Sequence, residues 1–170
     1  MNLLFDFSVD KANKTIHITR EFAADLDLVW DAFTKAELLG QWMAPKPYRI
    51  QTKEMNFREG GRWLFAMVSP DEEVPTRYSM QEYLKIEPKT RFTTRNSFTD
   101  ENGNHADTGY TFSMNETLFK SGDGITTVQM VKKMESLAQL EQFVAMGYKE
   151  GMMMAMQNLD EYLQTLATSK

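Results

Sequence analysis

The sequence predicts an α+β fold in which a curved antiparallel sheet wraps around one long C-terminal helix. Three observations predict it. Two short helical periods follow an alternating N-terminal region; from about residue 48 to about residue 133 the hydrophobic period is two, with recurrent turn signals; and the stretch from about Leu137 to Leu166 is helical in period and contains no proline. Strands in one block with a helix at the end read as α+β, not as alternating βαβ units.

Each element can be justified in order. Phe5, Phe7 and Val9 alternate on one face, the polar run Asp10 to Lys14 is a turn, and Thr15 to Phe22 alternates again. Asp25 suits a helix N-cap, where a carboxylate can accept an orphan backbone N–H. Leu26, Val29, Trp30 and Phe33 then fall on one helical face. A second short helix, Ala36 to Trp42, ends before Pro45 and Pro47. Tyr48 to Phe57 reads as a strand, and Glu59-Gly60-Gly61 as a turn using positive φ. Trp63, Phe65 and Met67 share a strand face, and Thr76 to Ile86 runs back. Phe92, Thr94, Asn96 and Phe98 alternate up to a polar loop, Asp100–Asp107. Tyr110, Phe112 and Met114 alternate next, and a last strand follows the turn Ser121–Gly124 through Val131. On the terminal helix Tyr148, Met152, Ala155, Leu159, Tyr162 and Leu166 form the stripe of a helix laid on a sheet. Gly147 and Gly151 lie one turn apart in this helix, and close packing or space for a ligand is the expected reason. A curved sheet and a helix do not fill all the volume between them, so a cavity is expected there.

Composition narrows the function. A chain of 170 residues suits one domain, residues 1–170, and needs no covalent staple. Zero cysteines exclude thiolate catalysis and zinc–cysteine sites, and fit a reducing compartment. The N-terminus has no signal-peptide pattern and no stretch reaches the ~20 apolar residues of a membrane span, so a cytoplasmic protein is expected. The formal net charge of −5, without a basic cluster, argues against nucleic acid. The 13 methionines suit an adaptable apolar surface.

The segment Phe22-Ala23-Ala24 … Val29-Trp30-Asp31-Ala32-Phe33-Thr34 … Leu38-Leu39-Gly40-Gln41-Trp42 … Ala44-Pro45 resembles the opening signature of the bacterial branch of the heat-shock-protein-90-ATPase-activator-homologue family, within the START-like (SRPBCC) superfamily. Phe57 to Trp63, Tyr83 to Pro88, and Gly147 to Met152 with Leu159 to Leu163 resemble its later signatures. The resemblance covers nearly the whole chain. It implies a helix-grip fold with an apolar cavity between sheet and long helix. It implies no catalytic set, since superfamily relatives carry lipids, bind hormones, act as cyclases or aromatases, or sequester small molecules. Asp25 and Ala36 stand where the family often has proline, Met43 where an aromatic follows Trp42, and Met152 where tryptophan follows the helix glycine.

The candidate cavity residues are Trp42, Trp63, Phe65, Phe92, Tyr110, Phe112, Met152 and Met156, with core filling as the competing role. Glu82 is the carboxylate to watch. If Met80, Leu84 and Ile86 face inward then Glu82 does too, and burial would raise its pKa enough for proton transfer. A bulge, or a partner such as Arg95 or Arg77, would turn it outward instead, and Tyr83 is equally plausible as the inward residue. Tyr110 is the other proton-transfer candidate. His17, between Ile16 and Ile18, is expected on a solvent face, and His105 in a loop. No metal or cofactor is expected. The acidic loop fails the calcium-loop spacing, with Gly103 fourth and Thr111 twelfth, and reads as a hairpin turn. No nucleophile elbow, zinc-helix motif or phosphate loop occurs. The expected function is binding of a small apolar or amphipathic ligand. The alternatives are a cyclase- or aromatase-like enzyme and a chaperone-associated interaction domain.

Overall fold

The computed structural model of the chain describes residues 3–106 and 112–168. Among these the elements run β1 (Phe5–Asp10), β2 (Thr15–Phe22), α1 (Leu26–Thr34), α2 (Ala36–Trp42), β3 (Arg49–Met55), β4 (Arg62–Val68), β5 (Arg77–Glu87), β6 (Arg91–Thr99), β7 (Ser113–Gly122), β8 (Ile125–Met134), α3 (Leu137–Ala145) and α4 (Tyr148–Thr168). The strands form one open, curved sheet in the order β1-β2-β8-β7-β6-β5-β4-β3. Every neighbouring pair is antiparallel. From β3 to β8 the chain meanders, and β2 closes the order by pairing with β8.

Local chemistry places the short helices. Asp25 occupies the N-cap of α1, but its carboxylate makes no capping bond; its backbone carbonyl instead accepts from Val29 N at 3.0 Å. Lys35, in extended conformation, ends α1 and starts α2. The Trp42 indole donates to the Ala32 carbonyl at 2.9 Å, which fastens α2 back onto α1. The Trp30 ring meets Phe57, Phe92 and Phe119 edge-on at 5.8, 5.9 and 5.0 Å, joining α1 to the sheet.

The C-terminal region differs from the single helix expected over 137–166. Ser136 caps α3 by accepting from Gln139 N at 3.1 Å, but the helix stops at Ala145. Gly147 has φ +88°, a left-handed conformation that terminates helices because glycine bears no Cβ. The chain therefore folds as a short helix and a separate long one. α3 places Leu140 against Ile16, Ile18 and Met134, while α4 places Ala155, Met156, Leu159 and Leu163 against the main core.

Two β-bulges matter for the site. One shifts register between Thr52 and Glu54, the other between Tyr83 and Lys85. Across the second, Tyr83 and Ile86 both pack into the core while Leu84 is exposed. A strict period of two cannot describe β5, because the extra residue reverses the facing of everything beyond it.

Candidate functional site

Two apolar clusters leave a gap between them. The larger is built on α1, α2, α4 and the β3–β8 side of the sheet; the smaller holds Ile16, Ile18, Met134 and Leu140. Between them lies a cavity of about 330 Å³, bounded by Trp63, Phe65 and Phe92 on the sheet, Trp42 and Met43 at the end of α2, and Gly151, Met152 and Met156 on α4. Trp63 and Phe65, two apart on one strand face, stack at 3.8 Å between centroids. Asn158 fastens α4 to the end of α2: its amide donates to the carbonyls of Trp42 at 3.4 Å and Ala44 at 3.2 Å.

The sheet floor of this cavity is not wholly apolar. Cross-strand partners share a face, and register aligns Gln81, Asn96 and Ser113 in one row, with Thr94, Asn115 and Lys132 in the next. All six line the cavity. Lys132 is buried, and its ammonium donates to Ser113 Oγ at 2.9 Å and lies 3.5 Å from Asn115 Oδ1. The Asn115 amide also donates to Ser113 Oγ, at 3.1 Å, which fixes its carbonyl oxygen toward the lysine. The rings of Phe143 and Tyr148 stand 5.1 and 5.8 Å from the ammonium. Among the described residues no carboxylate pairs with it within 4.0 Å. Burial pushes Lys132 down from its ordinary 10.5 to about 8, because water no longer stabilises the charged form. Burial likewise pushes the Tyr148 hydroxyl up to about 12.

The residues singled out from the sequence divide clearly. Trp42, Trp63, Phe65, Phe92, Met152 and Met156 all line the cavity. Phe112 does not. Its ring stacks under the Arg95 guanidinium at 4.3 Å and beside His105 at 5.2 Å, on the opposite face of the sheet. Tyr110 lies outside the described residues. The alternation that put Phe112 and Met114 inward is reversed: Met114 is exposed, and Ser113, Thr117 and Phe119 are the buried residues of β7.

Glu82 also faces away from the cavity. It pairs across the sheet with Arg95 and accepts from Arg95 Nε at 2.7 Å. The inward position belongs to Tyr83, whose hydroxyl burial raises well above its usual range. Glu82 is therefore no cavity acid. His17 is on the exposed face of β2, as alternation predicts. The polar loop is organised by Asp100, which accepts from the backbone of Asn102 and Asn104 at 2.8 and 2.9 Å. These bonds hold its carboxyl below the usual range.

Sequence reasoning missed Lys132, and of the polar rows it set only Thr94 and Asn96 in step with Phe92. A signal existed: Lys132 shares parity with Val128, Met130 and Met134, so a strand extended past Val131 must turn either Lys132 or Lys133 inward.

This fold and site define a helix-grip α+β domain, and no helix among its described residues is long and apolar enough to cross a membrane. The chain belongs to the family described as Activator of Hsp90 ATPase homolog 1-like protein, whose model matches residues 23–164. It is similar to the crystal structure of protein Ms6760 from Mycobacterium smegmatis, with 27% identity, coverage of 95% of this chain and 97% of that one, and a TM-score of 0.85. A Staphylococcus epidermidis protein solved by NMR is 26% identical over 93% of this chain and 94% of its own, with a TM-score of 0.81. CalU16 from Micromonospora echinospora shares the fold at 17% identity, covering 99% of this chain and 90% of that one, with a TM-score of 0.61. No curated protein sequence matches the chain.

Proposed function

We propose that this domain binds a small apolar or amphipathic molecule between the sheet and α4. The observation that carries the reading is the cavity of about 330 Å³ walled by Trp42, Trp63, Phe65, Phe92, Met152 and Met156. Its volume falls at the lower end of small-molecule sites, which span ~300–1,000 Å³ and are mostly apolar with a few placed polar groups. Membership of a family with this fold supports the same reading. Methionines on the helix side suit it further, since a thioether adapts to differently shaped ligands.

Titration with Nile red, a neutral dye whose emission rises in apolar surroundings, tests the proposal. One saturable site per folded chain is expected, and native mass spectrometry of protein from its own cells should weigh any retained ligand. Folded protein that gives no saturable rise and carries no added mass would overturn it.

A further inference from the structure

The apolar walls say little about the ligand's polar end, but the floor says more. Two charged residues border the cavity, Glu116 and Lys132. Glu116 turns its carboxylate to Arg91 Nη1, at 2.8 Å, on the outer face. Lys132 points its ammonium inward, is buried, and has only Ser113 Oγ and Asn115 Oδ1 as described acceptors. An ammonium has three donors; besides these two oxygens it has the rings of Phe143 and Tyr148 at 5.1 and 5.8 Å, so one donor has no oxygen acceptor among the described residues. Beside it, Thr94 Oγ1 donates to Asn96 Oδ1 at 2.6 Å, which leaves the Asn96 amide nitrogen as a further donor on the cavity floor. A buried charge without a counter-charge is costly, and an ion pair inside a partly apolar site relieves that cost.

We infer that the cavity takes an apolar molecule ending in a carboxylate, with Lys132 as the group that pairs with it and Trp63, Phe65, Met152 and Met156 along its hydrocarbon part. This rests on the reading of the cavity as a ligand site. A single cation matches a monoanion; a phosphate monoester would bring about −1.5 to −2 charges and leave the excess buried. At about 330 Å³ the cavity stands at the small end of ligand sites, so a medium-chain acid is the fitting probe.

Calorimetric titration at pH 7 with decanoate, decanol and methyl decanoate separates headgroup from chain. The wild-type protein is expected to bind decanoate at least tenfold more tightly than either neutral analogue. Lys132→Met and Lys132→Gln are made together, with folding checked by circular dichroism, so that one folded uncharged variant suffices. Either is expected to lose the tenfold preference for decanoate over decanol and methyl decanoate. Equal binding of decanoate and decanol by the wild type would overturn the anchor and leave the cavity reading standing. A preference that survives in the variants would overturn the assignment to Lys132. Failure of all three ligands, together with Nile red, would overturn both readings.

Discussion

Gly151 faces Pro45 with room for one methyl group: a Cβ placed on Gly151 would stand 4.0 Å from Pro45 Cγ. That is ordinary van der Waals contact, so the glycine is not required by close packing. Gly147, four residues earlier, is required by its backbone at φ +88°. The two glycines should therefore respond oppositely to alanine. Gly151→Ala should stabilise by about 0.5–1 kcal/mol, the helix-propensity difference. Gly147→Ala should destabilise by about 1 kcal/mol or more, because alanine is strained at positive φ. Urea unfolding of both variants checks this. A stabilised Gly147→Ala would mean that α3 and α4 join into one helix in solution.

Glu82 and Arg95 form a partly exposed ion pair on the face opposite the cavity. Such pairs contribute ~0–1 kcal/mol. Glu82→Gln should therefore lower stability by no more than that and leave Nile red affinity unchanged. A dye site abolished by this substitution would return Glu82 to the cavity.

Much of the fold could be read in the sequence because its signals are local. Alternation located β1, β2, β4 and β6, and the prolines after Trp42 bounded α2. Reading failed where one residue changes the frame. The bulge after Tyr83 reversed β5, so Met80, Glu82, Leu84 and Ile86 do not share a face. Gly147 divided the helix expected over 137–166 just ahead of its apolar stripe, which begins at Tyr148. In the cavity the apolar lining was legible because large side chains mark buried faces. The polar rows were legible only in part: Thr94 and Asn96 fall in step with Phe92, but Ser113 and Asn115 on a single strand look like solvent-facing residues. Only the register between strands brings them together under Lys132.

Lys132 should leave a signature in stability against pH. Its proton is held with a pKa of about 8 in the folded chain, against an ordinary 10.5. Between those values the unfolded chain binds the proton that the folded chain has released, so stability should rise with pH across the window. Below about pH 8 both states are protonated and the cost of burying the ammonium is fully present; above about 10.5 it has gone. At ~1.4 kcal/mol per pKa unit the full change is about 3 kcal/mol. Tyr148, the titratable ring beside the ammonium, ionises only near 12 and stays neutral throughout. Lys132→Met should be more stable than wild type near pH 7 and lose that advantage toward pH 10.5. A difference that does not vary with pH would show that the ammonium is solvated.

Met152 tests the cavity from the helix side. It is half-buried, borders the cavity and packs against both apolar clusters. The family resemblance puts tryptophan at this position, so the methionine leaves more room and more rotamers than relatives have. Met152→Trp should project its ring into the gap above Trp63 and Phe65. Filling empty volume should cost less than ~1 kcal/mol, whereas overpacking a filled core costs typically ~1–3 kcal/mol. The same ring should exclude the dye, weakening Nile red binding at least tenfold. Thermal unfolding and dye titration of the one variant read both effects. Strong destabilisation with dye binding unchanged would make residue 152 ordinary core and place the dye somewhere other than between the sheet and α4.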